Sequence, residues 1–125
     1  MNILITNNPL VEAQCKDKAK VCYIDTDLIG VLTHVRDLTH KGHRLLTHPL
    51  SGSIKPNESL YKSVLITGVT EDLDVQSKTD LQSVGIIEES ILTAQKFPPR
   101  QFTDQYLRDM QIVDLSLIKS ALGRE

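Results

Sequence analysis

The sequence predicts an α/β fold: a three-layer sandwich with a mostly parallel sheet of about four to five strands, flavodoxin- or Rossmann-like in arrangement. Three observations predict it. Short apolar runs alternate with amphipathic stretches, giving the order β-α-β-α-β over the first 48 residues. The amphipathic stretches open on residues that cap helices. At 125 residues and 40% hydrophobic, the chain has the size of a single α/β domain, 1–125, able to bury one core unaided.

Each element follows from local chemistry. Asn2–Thr6 is a short apolar run and predicts a buried strand. Asn8 and Pro9 then suit the N-cap and first position of a helix over residues 9–18, because proline lacks the N–H that a first turn leaves unpaired. Lys20–Ile24 is a second strand. Asp25-Thr26-Asp27 offers caps for a second helix, in which Leu28, Val31, Leu32, Val35 and Leu38 share one face. His40 and Lys41 fall in its last turn, where positive charge complements the helix dipole, and Gly42 is placed to end it in a left-handed cap. Arg44–His48 is a third short strand. Pro49 opens a long loop over 49–62, and loops of that length in compact domains are often functional.

Ser63–Thr67 is the clearest later strand, and Gly68–Lys78 a loop or irregular edge. Thr79–Phe97 carries Leu81, Val84, Ile87, Ile91 and Ala94 at helical spacing, tolerates Gly85, and stops at Pro98-Pro99. Thr103 caps a last helix, with Phe102 and Leu107 at the two staple positions. Met110, Val113, Leu117 and Ala121 continue it, although Val113, Leu115 and Leu117 also fit a strand of period two. Helix is the preferred reading, broken near Asp114.

Several function classes are disfavoured at once. Met1–Thr6 has no basic region and too short an apolar run for a signal peptide, and no stretch approaches the roughly 18 apolar residues of a membrane span. The expected setting is the cytoplasm. Cys15 and Cys22 match neither C-x-x-C nor a zinc pattern and are expected to be reduced thiols. Of the four histidines, His34 and His40 fall on different sides of one helix, Gly42 breaks it before His43, and His48 follows without ligand spacing, so no metal site is expected. All four lie in His34–Ser63, where five cations against two acids give a net +3, leaving −5 for the rest of a chain of total charge −2. A local positive field in an acidic protein favours an anionic ligand. Nucleic acid is not favoured, because Tyr61 is the only aromatic in that window and no broad basic face accompanies it.

The candidate site lies where parallel α/β sheets bind ligands, beyond the carboxyl ends of the strands. Thr6-Asn7-Asn8 leaves the first strand, and Thr47-His48-Pro49-Leu50-Ser51-Gly52-Ser53 leaves the third. If those strands are neighbours, the two segments face each other. One asparagine suffices to cap the helix, which makes Asn7 the more informative of the pair. Ser51-Gly52-Ser53 would let the backbone approach a ligand, with Lys55 or Lys62 adding charge, but neither a Walker A loop nor a dinucleotide fingerprint is present. His48 could contact a ligand or act as acid or base near neutral pH.

Thr6-Asn7-Asn8-Pro9, Val35-Arg36-Asp37, His40-Lys41-Gly42-His43, Leu45–Ser53, Lys55-Pro56-Asn57-Glu58 and Tyr61-Lys62-Ser63 together resemble the GrdX family, small proteins associated with glycine, sarcosine and betaine reductase gene clusters. The run His43–Ser63 is the most specific part of that resemblance, and Gln111–Ile118 matches more loosely. The resemblance implies a setting in anaerobic amino-acid metabolism, among carboxylates, selenium proteins and acetyl phosphate. It carries over no catalytic residue and no cofactor.

The leading expectation is therefore an accessory or binding protein of glycine-reductase-type metabolism. It would hold a small anion, carboxylate or phosphate, or a glycine, sarcosine or betaine reductase component, through Asn7, Asn8, Thr47, His48, Ser51, Gly52, Ser53, Lys55 and Lys62. The alternatives are a small enzyme using His48 as general acid or base with Lys55 or Lys62 as anion clamp, and an assembly module that pairs as a homodimer through its C-terminal helix.

Overall fold

The computed structural model describes residues 1–50, 55–68, 81–98 and 100–123. Among these residues, three strands and four helices follow in the order β1 (Ile3–Thr6), α1 (Pro9–Gln14), β2 (Lys20–Tyr23), α2 (Leu28–His40), β3 (Ser63–Ile66), α3 (Leu81–Gln95) and α4 (Asp104–Leu122). The sheet order is β2-β1-β3. β1 and β2 run parallel, joined through α1, whereas β3 runs antiparallel to β1 with Leu4 opposite Leu65 and Thr6 opposite Ser63.

This corrects the expected architecture. The sheet is small and mixed, not the mostly parallel, four- to five-stranded, flavodoxin-like sandwich that the alternation of elements implied. Two physical causes account for the difference. First, α2 does not lead directly into the next strand: a long connection over 41–62 follows it, so the chain can re-enter the sheet beside β1 in the opposite direction. Second, Arg44–His48 does not form a regular strand. It lies along the outer edge of β3 through a single antiparallel bridge, Leu45 opposite Ile66, and through Leu46 N–H to Leu65 O at 2.8 Å and Thr67 N–H to Arg44 O at 2.9 Å. Hydroxyl side chains take over the remaining rungs. Leu65 N–H donates to Thr47 Oγ1, Arg44 N–H to Thr67 Oγ1 and Leu45 N–H to Ser83 Oγ. Side-chain bonds of this kind compete directly with the ladder.

The helix caps fall where the sequence places them. Asn8 Oδ1 accepts from Leu10 N–H with Pro9 at the first helical position, and Asp27 Oδ1 accepts from Gly30 N–H. Thr103 Oγ1 accepts from Tyr106 N–H, and Phe102 stacks on Tyr106 with ring centroids 5.2 Å apart. α1 stops at Gln14, short of residue 18. α4 runs unbroken through Asp114, so the ambiguous last segment is a 19-residue helix with neither strand nor break. The Gly68–Lys78 loop lies outside the described residues, apart from Gly68.

Strand alternation then divides the core. Ile5, Val64 and Ile66 face α2 and α3, packing with Val31, Leu32, Val35, Ile87 and Ile91. Leu4 and Leu65 face the other way, toward Val11 of α1 and Leu115, Ile118 and Ala121 of α4. No described helix is long and apolar enough to cross a membrane.

α2 closes in a full Schellman motif: Gly42 N–H bonds Thr39 O at 3.1 Å and His43 N–H bonds Leu38 O at 3.2 Å, with Gly42 at φ 106°. A Cβ is strained at that angle, so Gly42→Ala is expected to lower stability by about 1–2 kcal/mol. Urea unfolding with an unchanged m-value checks it.

Candidate functional site

Period-two alternation sets the site. Thr6 and Ser63 occupy the next positions on the face that carries Leu4 and Leu65, so their hydroxyls enter the layer between the sheet and α4. On α4 the buried face begins with Asp114 and continues through Leu115, Ile118, Ala121 and Leu122. A carboxylate therefore meets two hydroxyls in the interior. Ser63 Oγ–H donates to Asp114 Oδ2 at 2.7 Å, Thr6 Oγ1 stands 2.7 Å from Ser63 Oγ, and Asn8 N–H donates to Thr6 Oγ1 at 3.0 Å. With Ser63 committed as donor to the carboxylate, Thr6 is left to donate to Ser63. The chain runs one way, from the Asn8 amide to the carboxylate.

Asn8 closes the ring. Its Nδ2 donates to Asp114 Oδ2 at 3.1 Å and to Gln111 O at 2.9 Å, while its Oδ1 caps α1. Asn7 is equally committed. Its Nδ2 donates to Thr26 O and Leu60 O, both at 2.8 Å, and its Oδ1 accepts from Lys62 N–H at 2.8 Å. From α4, Tyr106 Oη–H donates to Glu58 O and Gln111 Nε2 to Tyr61 Oη, which fixes the segment leading into Lys62.

In front of this network lies a cleft of about 310 Å3, bounded by Thr47 and His48, by Lys62 and Ser63, and by Asp114 and Leu117 of α4. A smaller hollow of about 30 Å3 lies among Leu28, Lys55, Tyr61 and Met110. Lys62, Asp114 and Leu117 line both spaces and so form the wall between them. Burial pushes the Asp114 carboxyl above its usual value of 3.8, against the opposing pull of Ser63, Asn8 and the Lys62 charge. Burial likewise pushes the Lys62 ammonium below its usual 10.5, with Asp114 working the other way. Each group favours its neutral form through desolvation and its charged form through the other.

Of the expected site residues, Thr47, His48 and Lys62 line the one cleft, and Asn7 and Asn8 lie buried behind it. His48 is exposed at the rim, and its Nδ1 accepts from Leu50 N–H at 3.1 Å. Lys55 borders the smaller hollow, where its N–H donates to Glu58 Oε1. Ser51, Gly52 and Ser53 lie outside the described residues. Among the described residues no three His, Cys, Asp or Glu side chains gather into a metal site. His43 Nδ1–H donates to Thr67 O at 2.7 Å, and His34 Nε2 stands 4.0 Å from Cys22 Sγ; Cys15 and Cys22 are both free thiols.

Sequence reasoning placed Thr6 in a segment bordering the site without giving it a role, and missed Ser63 and Asp114 as site residues. The signal was present. Asp114 shares a helical face with Met110, Leu117, Ile118 and Ala121, and a carboxylate on an apolar stripe needs a buried partner.

Asn8→Ala removes a cap and leaves the Gln111 carbonyl and Asp114 with fewer donors. A loss of about 2–4 kcal/mol is expected in urea unfolding. Asp114 gives a prediction in pH. Its raised value means that the folded protein holds the proton more tightly than the unfolded chain. That contribution to stability is complete below about pH 3.8 and is lost as pH rises through the folded-state value. Asp114→Asn lacks it, so the variant is expected to gain on the wild type between about pH 4 and pH 7. Unfolding free energies at several pH values measure the gap; a constant gap contradicts the assignment.

Comparison with curated proteins and with solved structures gives no match. The family described as GrdX-like protein matches residues 3–123, nearly the entire chain, and takes in both the strand that carries Thr6 and the helix that carries Asp114; the chain belongs to that family.

Proposed function

We propose that this chain is an accessory binding protein of glycine-reductase-type metabolism that holds a small carboxylate or phosphate, free or carried by a reductase component, in the cleft at the carboxyl end of β1. Membership of the GrdX-like family supports the setting. The observation that carries the binding is Lys62, a lysine only 9% exposed that lines a 310 Å3 cleft with Thr47 and His48 at its mouth. A positive charge set in surroundings of low dielectric draws an anion more strongly than one in water does. The neighbouring carboxylate does not cancel this. Burial favours its neutral form, and Ser63 and Asn8 already occupy Oδ2.

One observation favours a second reading, a small enzyme with His48 as acid or base. His48 and Lys62 share the cleft, and Leu50 N–H occupies His48 Nδ1, which leaves Nε2 for proton transfer. Lys62 is then the anion clamp; Lys55 borders the other hollow.

Thermal unfolding with acetate, phosphate, acetyl phosphate, glycine, sarcosine and betaine tests the binding. A ligand at 100 times its dissociation constant is expected to stabilise the wild type by about 2.7 kcal/mol. Lys62→Met should abolish the gain and His48→Gln should reduce it. No stabilisation by any of the six removes the anion-binding reading, and consumption of a ligand by the wild type but not by His48→Gln selects the enzyme.

A further inference from the structure

Lys62 has a chemical capacity that holding an anion does not use. Among the described residues that line the cleft it is the one amine, and the Asp114 carboxyl group lines the same space. Leu46, Leu117, Ile118 and Ala121 supply apolar surface around the pair. The space in front, about 310 Å3, is at the lower end of the range for small-molecule sites and suits a compound of a few carbons.

We propose that Lys62 captures a small carbonyl compound, an aldehyde or a 2-oxo acid, as an imine in this cleft, with Asp114 as the proton donor. The inference rests on the cleft being a ligand site, as read above, but not on the ligand being held by charge alone. The step balances without an oxidant or a reductant. The neutral Nζ adds to the carbonyl carbon and the C=O pair moves to oxygen. Transfer of a proton from nitrogen to that oxygen gives the carbinolamine. The Asp114 carboxyl then protonates the hydroxyl, the C–O bond breaks, and water leaves. The products are a lysine iminium, the Asp114 carboxylate and one water. Hydrolysis retraces the path.

The surroundings serve each stage. Burial favours the amine over the ammonium and the carboxylic acid over the carboxylate, the two forms with which the sequence of steps begins. After water departs, iminium and carboxylate form an ion pair in the position where the two neutral groups stood. Ser63 Oγ and Asn8 Nδ2 already point at Asp114 Oδ2, so the carboxylate that appears is received by donors in place.

Reductive trapping tests this in the full-length chain. Pyruvate and propionaldehyde are incubated separately with the protein and sodium cyanoborohydride near pH 7, and the modified lysines are mapped by mass spectrometry over time. Lys62 is expected to be labelled several-fold faster than exposed Lys55, since the cleft holds the carbonyl against it and burial favours its neutral amine. Asp114→Asn should slow labelling of Lys62 and leave Lys55 unchanged. Lys62→Arg should remove the fast adduct, and the contest between Lys62 and Lys55 within one wild-type molecule decides the matter even if that variant does not fold. Labelling of Lys62 no faster than of Lys55 overturns the proposal. If anions stabilise the protein while Lys62 reacts no faster than Lys55, the imine falls and the anion site stands. If Lys62 is labelled fast while no anion stabilises, the reverse holds.

Discussion

A carboxylate taken out of water must be met by donors, and the way Asp114 is met organises much of this protein. Its Oδ2 receives the Ser63 hydroxyl from β3 and the Asn8 amide from the start of α1, and the Ser63 hydroxyl is backed in turn by Thr6 at the end of β1. Four elements converge on one oxygen. The side chains in the ring also shape the fold directly, since Asn8 caps a helix while Thr6 and Ser63 are a register pair across the sheet. Loss of any member would leave the others short of partners in a medium of low dielectric, where an unmet polar group costs most. The network therefore holds α4 to the sheet at a fixed height as well as placing a carboxyl group beside Lys62.

The two layers flanking the sheet play different parts. On the α2 and α3 side the contact is mainly apolar, with Ile5, Val64 and Ile66 against Val31, Val35, Ile87 and Ile91, and the buried hydroxyls of Thr39, Ser83 and Ser90 bond to backbone groups. The ion pair that links those helices, Arg36 with Glu88, is partly exposed and of small consequence for stability. The α1 and α4 side is apolar only in part, and turns polar at the carboxyl end of β1. The network around Asp114 thus lies at one end of one layer, while the opposite layer is mainly apolar packing.

What could be read from the sequence divides along physical lines. Helix termini were legible because caps are local: Asn8, Asp27, Gly42 and Thr103 each act on groups within a few residues. Strand direction was not. Ser63–Ile66 has the same apolar pattern whichever way it runs, and only its pairing with β1 settles the matter. Arg44–His48 misled for a related reason, because Leu45 and Leu46 look like a strand while the hydroxyls that displace its ladder, Thr67 and Ser83, lie far along the chain. The same distinction holds at the site. Thr47, His48 and Lys62 stood out through charge and loop composition. Asp114 looked like a helix break, since its partners Ser63 and Asn8 are separated from it by 51 and 106 residues.

That last separation bears on how the molecule is made. The N-terminal strand and first cap emerge early in synthesis, yet the groups that satisfy Asn8 are carried by the final helix, 103 and 106 residues later. Until Gln111 and Asp114 have cleared the ribosome, the Asn8 side-chain amide lacks both of its acceptors and the Ser63 hydroxyl has Thr6 but not the carboxyl group. The hydrophobic contacts of β1, β2 and α2 can assemble before then, because domains begin to organise from the end that emerges first. The wall that Asp114 and Leu117 give the cleft, by contrast, waits for α4. A chain stopped short of α4 could assemble the contacts of β1, β2 and α2 and still lack the side of the cleft that Asp114 and Leu117 form.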